Sequence, residues 1–227
     1  MLFRQLFDSE SSSYTYLIAD FYTKEAVIVD SVLEQFERDT SLLKELGLNL
    51  RYCLDTHVHA DHITAAGKLR QATGCLNILP KNSKVKCADS YIQHGQVLQL
   101  GAVTIEGIST PGHTNSHMAY LINNTHLLTG DALFIRGCGR TDFQDGDPGT
   151  LYDCVTKRLF TLPDHTLVYP GHDYKGCTVS TIAEEKQLNP RFAGKTRDDF
   201  INLMENLNLP FPKKIKQAVP ANRNCGM

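Results

Sequence analysis

The sequence has no long apolar run. Its hydrophobic stretches last a few residues each, far short of the roughly 20 a membrane-spanning helix needs. The start MLFRQLFDSESSS has neither a secretory apolar core nor an Arg-rich transit pattern. Charge of one sign is missing as well: 23 basic and 25 acidic residues are interspersed, for a formal charge of −2, so the basic stripe of a nucleic-acid binder is absent. The seven cysteines, Cys53, Cys75, Cys87, Cys138, Cys154, Cys177 and Cys225, are odd in number and form no C-x-x-C pair. That argues against a disulfide framework and against a cysteine-bound structural zinc. No internal repeat or low-complexity linker interrupts the chain. The expectation is a protein that uses neither nucleic acid nor membrane and acts on small molecules. It is expected in the cytoplasm, or in an organelle matrix if a leader has been removed.

What is present is ample core material. With 227 residues, 41% of them apolar, the chain can form one large domain over 1–227, with 206–227 as a Pro-rich C-terminal tail lying over the surface. Strands are predicted at YTYLIAD (14–20), AVIVDSV (26–32) and LRYCLD (50–55). Helices are predicted over 34–46, stopped by Gly47, and over 63–73, ended by Gly74. From 76 to 128 the pattern is mostly strand, with VLQLGAVTIEGI reading as two strands joined at Gly101. Helices return near 150–160 and 179–187, with the strand of TLVYPGHD between them. Strands and helices interleaved in this order suit two sheets packed face to face with helices outside.

Chemistry is concentrated at strand ends. Within LDTHVHADHITAAG (54–67), three histidines and two acids fall between Asp55 and His62, in a strand-to-helix turn. Uncompensated crowding of ionisable groups costs free energy, and a metal ion relieves it. Three further places end an apolar run on a ligand-type residue: PGHT at His113, TGDALF at Asp131 and YPGHD at His172. Gly112, Gly130 and Gly171 each stand directly before one of them. Strands ending at one sheet edge can deliver five imidazoles and two carboxylates to one place. Imidazole and carboxylate without thiolate suit zinc, iron or manganese. Isolated histidines such as His94, His126 and His165 read as surface residues, and His117 gains interest only from its closeness to His113.

THVHADH, PGHT, TGDALF and YPGHD resemble, in order and spacing, the motifs of the metallo-β-lactamase fold, over about residues 12–190. That resemblance implies an α/β, four-layer αββα sandwich of two mixed sheets with a metal site at one edge. The superfamily includes hydrolases, nucleases and oxygenases. FIRGCGRTDFQDGDPGTLYDCV (134–155), TLVYPGHDYKGCTVSTIAEEKQLNPR (166–191) and the tail NLNLPFPKKIKQAVPANRNCG (206–226) look like the persulfide dioxygenases of the ethylmalonic encephalopathy protein type. Such enzymes oxidise glutathione persulfide with O2 to sulfite and glutathione at one non-haem Fe(II). The resemblance implies one Fe(II) per chain on His57, His113 and Asp131, a facial triad that leaves positions for sulfur and O2. His59, Asp61, His62 and His172 would then support the ligands from behind through hydrogen bonds or line an empty second metal pocket. Relatives are often dimers, which implies a homodimer.

The alternative is a glyoxalase II-like thioester hydrolase. It would place His57, His59 and His113 on one metal and Asp61, His62 and His172 on a second, with Asp131 bridging. The short tail after His172 and the RTDF continuation favour the oxygenase. A metal-free interaction or nucleic-acid module is disfavoured by the complete ligand set. Around the metal, Arg140 can fork onto a glutathione carboxylate, or shape its loop through Asp142 or Asp145. Tyr174 can set its hydroxyl near iron or persulfide, or simply pack. Asp173 is expected to fix its loop, and Cys138, although near the site, is not expected to act in catalysis.

Overall fold

A computed structural model describes residues 1–227, which fall into two compact units. The first comprises Met1–Ile92, Val97–Ile105 and Phe211–Met227, the second Gln93–Gln96 and Glu106–Pro210. One six-stranded sheet runs in sequence order through β1 (Leu2–Asp8), β2 (Ser13–Ala19), β3 (Glu25–Val29), β4 (Asn49–Leu54), β5 (Leu76–Pro80) and β6 (Ser90–Ile92). The first three strands are antiparallel and β3 to β6 are parallel. Parallel neighbours need a crossover, and α1 (Phe36–Glu45) and α2 (Ala66–Thr73) supply two of them. Strand β2 is buried along its whole length, and Leu17, Ile28, Leu43, Cys53 and Leu69 form the core beneath the helices.

The other sheet has the order β12-β11-β10-β9-β8-β7, built from β7 (Val97–Leu100), β8 (Val103–Ser109), β9 (Met118–Ile122), β10 (His126–Gly130), β11 (Leu167–Pro170) and β12 (Ser180–Thr181). β10 pairs antiparallel with β9 and parallel with β11. The crossover between β10 and β11 carries α3 (Pro148–Cys154), which continues in a wider π turn to Leu159. Asp147 caps α3 by accepting from the Thr150 N–H, with Pro148 at the first helical position. α4 (Ile182–Leu188) and α5 (Arg197–Glu205) belong to the second unit, and Leu127, Leu151, Val168, Ile182 and Phe200 form its core. Two mixed six-stranded sheets with helices are the inventory expected of the αββα class.

Several boundaries differ from the sequence reading for physical reasons. The helix predicted over 63–73 begins only at Ala66. Thr64 pairs with Val32 in an isolated bridge, and its N–H donates to the Asn222 side chain, which keeps 63–65 out of the helix. β1, α5 and α6 (Ile215–Asn222) were not foreseen. α6 lies in the Pro-rich tail and contains Pro220, yet Ala218 and Asn222 are buried. Tertiary burial outweighs the hydrogen bond that proline removes. One cysteine pair does meet: Cys87 and Cys225 form a disulfide across a sequence separation of 138. Such a distant pair leaves no local spacing signal.

Candidate metal centre

In the first unit, β4 stops at Leu54 and Asp55–Ala65 forms neither helix nor strand apart from the single bridge at Thr64. His57, His59 and His62 are all buried there. Asp30, directly after β3, organises the segment. Its Oδ1 accepts from the Thr56 N–H at 2.7 Å and contacts His59 Nε2 at 3.1 Å, while Oδ2 accepts from the Thr56 hydroxyl at 3.0 Å. The Thr56 proton is thereby committed, so Thr56 Oγ1 accepts from His57 Nδ1–H at 2.9 Å. This tautomer puts the His57 lone pair on Nε2.

His62 Nδ1 lies 2.8 Å from Asp61 Oδ2. His59 Nδ1 and His62 Nε2 are buried without a hydrogen-bond partner, a costly state that a cation would relieve. Ligand atoms of His59, Asp61 and His62 lie within 4.8 Å of one another, as do those of Asp30, Asp55 and His59. Burial pushes the Asp55 carboxyl up to about 7, with His59 opposing and Asp30 assisting. Burial alone would lower His59, yet the charge and hydrogen bond of Asp30, with Asp55 and Asp61, carry it up to about 9. A raised acid beside a raised imidazole marks a place short of positive charge. A metal fits this donor set.

The second unit assembles its candidates from strand ends. His113 Nδ1–H donates to the Arg140 carbonyl at 2.6 Å, leaving the lone pair on Nε2, 3.4 Å from Asp131 Oδ2. His172 Nδ1–H donates to Asp131 Oδ1 at 2.8 Å. Close approach explains two glycines: a Cβ on Gly171 would lie 2.6 Å from Asp131 Oδ1, and one on Gly139 would lie 2.8 Å from His113 Nδ1. His117, only a minor candidate in the sequence, is buried and does more than expected. Its Nε2 accepts from the Asp131 N–H at 3.0 Å, so Nδ1 carries the proton donated to Thr110 Oγ1 at 2.8 Å. It fixes the backbone from which Asp131 projects.

The remaining expected residues are also placed. Asp173 accepts the N–H groups of Lys175 and Cys177, both at 2.7 Å, and so fixes its loop. Tyr174 is 72% exposed, its ring nearly parallel to that of His172 at 6.1 Å. Arg140 forks onto Asp142 with two bonds of 2.7 Å, donates to the Pro210 carbonyl and lies over the Phe143 ring. Cys138 is in the core beside Met204, and burial pushes its thiol up to about 12, which removes it as a nucleophile. Within the first unit, then, His57, His59, Asp61 and His62 share one segment, and within the second His113, Asp131 and His172 meet. Sequence reasoning missed Asp30, Asn222 and the role of His117. Only His117 had a local signal, its spacing of four from His113.

A family model described as "Metallo-beta-lactamase superfamily" matches residues 9–172. "Persulfide dioxygenase ETHE1, mitochondrial" of Bos taurus is 48% identical, covering 100% of this chain and 89% of that one. The Homo sapiens protein of the same name is 47% identical with the same coverage. Among solved structures, a crystal structure of ETHE1 from Myxococcus xanthus shares 56% identity and superposes with a TM-score of 0.97 over 100% of both chains.

Proposed function

Because the chain belongs to the metallo-β-lactamase superfamily and, within it, to the persulfide dioxygenases, we propose that it oxidises glutathione persulfide with O2 and water to sulfite and glutathione, with one Fe(II) held by His57, His113 and Asp131. The observation that carries this reading is the extent of the likeness. It runs over the whole chain, the 134–155 segment and the tail included, instead of stopping after the metal motifs.

The local chemistry supports it. His57 and His113 each have Nδ1–H tied to a protein acceptor, so each offers Nε2 as a neutral imidazole ligand. Asp131 receives the His172 proton on Oδ1 and keeps Oδ2 as a ligand atom. Two imidazoles and a carboxylate suit Fe(II) with positions left open. Bound there, iron would supply the joint binding of O2 and the persulfide sulfur and the electron transfer between them. The chain's own groups do the orienting. Asp30 and Thr56 hold His57, the Arg140 carbonyl holds His113, and His117 holds the Asp131 backbone. His172 braces Asp131 and the His59 ring lies 4.3 Å from that of His57, while Asp61 and His62 pair with each other and Asp173 fixes its own loop. These residues support the ligands from behind or line an empty second metal pocket. Tyr174 stands at the substrate mouth, and the Arg140 fork takes a glutathione carboxylate by exchanging it for Asp142.

No helix is long and apolar enough to cross a membrane. The enzyme acts in the cytoplasm, or in an organelle matrix after removal of a leader, as a homodimer; the word mitochondrial in the relatives' names supports the second place. Metal analysis after anaerobic purification tests the reading, with about one iron per chain and no stoichiometric zinc expected. Given glutathione persulfide, the protein should take up O2 and release sulfite, while leaving a glutathione thioester intact. The partnerless nitrogens of His59 and His62 are what a second ion would explain. Two zincs per chain, with thioester hydrolysis and no O2 uptake, would therefore replace this reading with the hydrolase.

A further inference from the structure

We propose that Asn222, in the C-terminal helix, is a positioning residue for the ligand-bearing segment His57–His62, an inference that rests on the metal reading above. Asn222 is 2% exposed and uses its whole carboxamide on that segment. Nδ2 donates to the His59 carbonyl at 2.9 Å and to the His62 carbonyl at 2.8 Å, and Oδ1 accepts from the Thr64 N–H at 2.9 Å. These are the groups that a strand or helix would have paired, in a stretch that forms neither. One side chain therefore supplies the local backbone framework of the turn from His59 to Thr64. Its bonds reach the main chain at His59, His62 and Thr64, so they fix the backbone that follows the proposed ligand His57.

The helix itself is anchored on three sides. Ala218 is fully buried, and Val219 packs against the cluster of Val58, Leu79, Val85 and Cys225. The Gly67 N–H donates to the Cys225 carbonyl at 2.8 Å, a contact so close that a Cβ on Gly67 would lie 2.6 Å from that oxygen. The Cys87–Cys225 disulfide ties the same end of the chain to the loop before β6. A carboxamide carried on so fixed a support can hold a ligand segment in one arrangement before metal arrives. Preorganisation of that kind shows in metal affinity, where loss of an outer partner typically costs about 10- to 100-fold.

The test uses full-length apoprotein and Co(II) as a spectroscopic probe, in wild type, Asn222→Asp and Asn222→Ala. Asn222→Asp keeps shape and the acceptor but loses both donors. Both variants are expected to unfold cooperatively, bind Co(II) about 10- to 100-fold more weakly, and show altered Co(II) absorption bands. Amide exchange should rise over 56–66 while β4 keeps its protection. Unchanged affinity and bands in both variants would overturn the proposal. Loss of the cooperative transition in both would also overturn it, by making Asn222 a general folding residue. If wild type bound no Co(II), the metal reading would fail on its own, and exchange over 56–66 would still decide whether Asn222 orders the segment.

Discussion

The two units present ligand-type side chains in opposite ways. The first places His57, His59, Asp61 and His62 within one irregular stretch of six residues, whereas the second takes His113, Asp131 and His172 from three separate strand ends. Adjacent parallel strands β10 and β11 pair Gly130 with Pro170, so the ladder itself sets Asp131 beside His172. In the first unit the ladder helps only at the start of the segment, where β3 and β4 pair Val29 with Leu54 and set Asp30 beside Thr56. A strand would set His57, His59 and Asp61 on one face but turn His62 to the other, so bringing all four together requires the backbone to leave regular structure. The backbone groups so released need partners from elsewhere. Asp30 and Asn222 provide them from 26 and more residues away. Crowded ligands demand a remote scaffold, and dispersed ligands inherit one from the sheet.

The largest expected effect would break the comparison outright. His113→Ala or Asp131→Ala should lose iron and activity together. Structural zinc sites bind with roughly 10–16 kcal/mol over four ligands, which puts one ligand at roughly 3 kcal/mol, or about 100-fold or more in affinity. Wild-type iron content in either variant would show that the strand-end residues are not the ligands. Next comes the support peculiar to the first unit. Reduction of the disulfide, or Cys87→Ser, should destabilise by about 2–4 kcal/mol, visible as a Tm lowered by roughly 5–15 °C. Amide exchange should rise in α6 and over 56–66, with β9 and β10 unaffected; equal loosening of both units would erase the contrast.

The second unit's own support is tested by His117→Asn, which loses the Asp131 N–H acceptor. Iron affinity should fall by about 10- to 100-fold with little change in Tm. A large drop in Tm at unaltered affinity would recast His117 as a core residue. The smallest effects concern Arg140. If it exchanges Asp142 for a substrate carboxylate, Arg140→Ala should raise KM about 10-fold. Asp142→Ala should lower KM by no more than about 5-fold, because an exposed ion pair is worth up to about 1 kcal/mol. Parallel loss of kcat in both variants would mean that the pair only shapes the loop.

What the residues announced in advance follows the same division. The strands around Tyr16, Ile28 and Leu127 and the helix stops at Gly47 and Gly74 depend on neighbours within a few positions, and they were legible. The ligand candidates rest on ligand type and strand-end position, both local properties, and within each unit they lie close together. The start of α2 was misjudged because Val32 and Asn222, both remote, hold Thr64 extended. α6 was hidden because Pro220 and the LPFP stretch read as loop, while burial of Ala218 and Asn222 decides otherwise. His117 was underrated because its value lies in a backbone N–H fourteen residues away, which no composition records.

The bond between Cys87 and Cys225 also changes the molecule's topology. It closes a covalent ring that encloses the whole second unit, His113, Asp131 and His172 included, and leaves His57 on the linear arm outside. A single proteolytic cut in any exposed loop of the ring would open the circle without separating anything. The nicked protein would still run as one chain on a non-reducing gel, with all three proposed iron ligands on one covalent framework. Adding a thiol would part the fragments, and His57 would separate from whichever ligands lay beyond the cut.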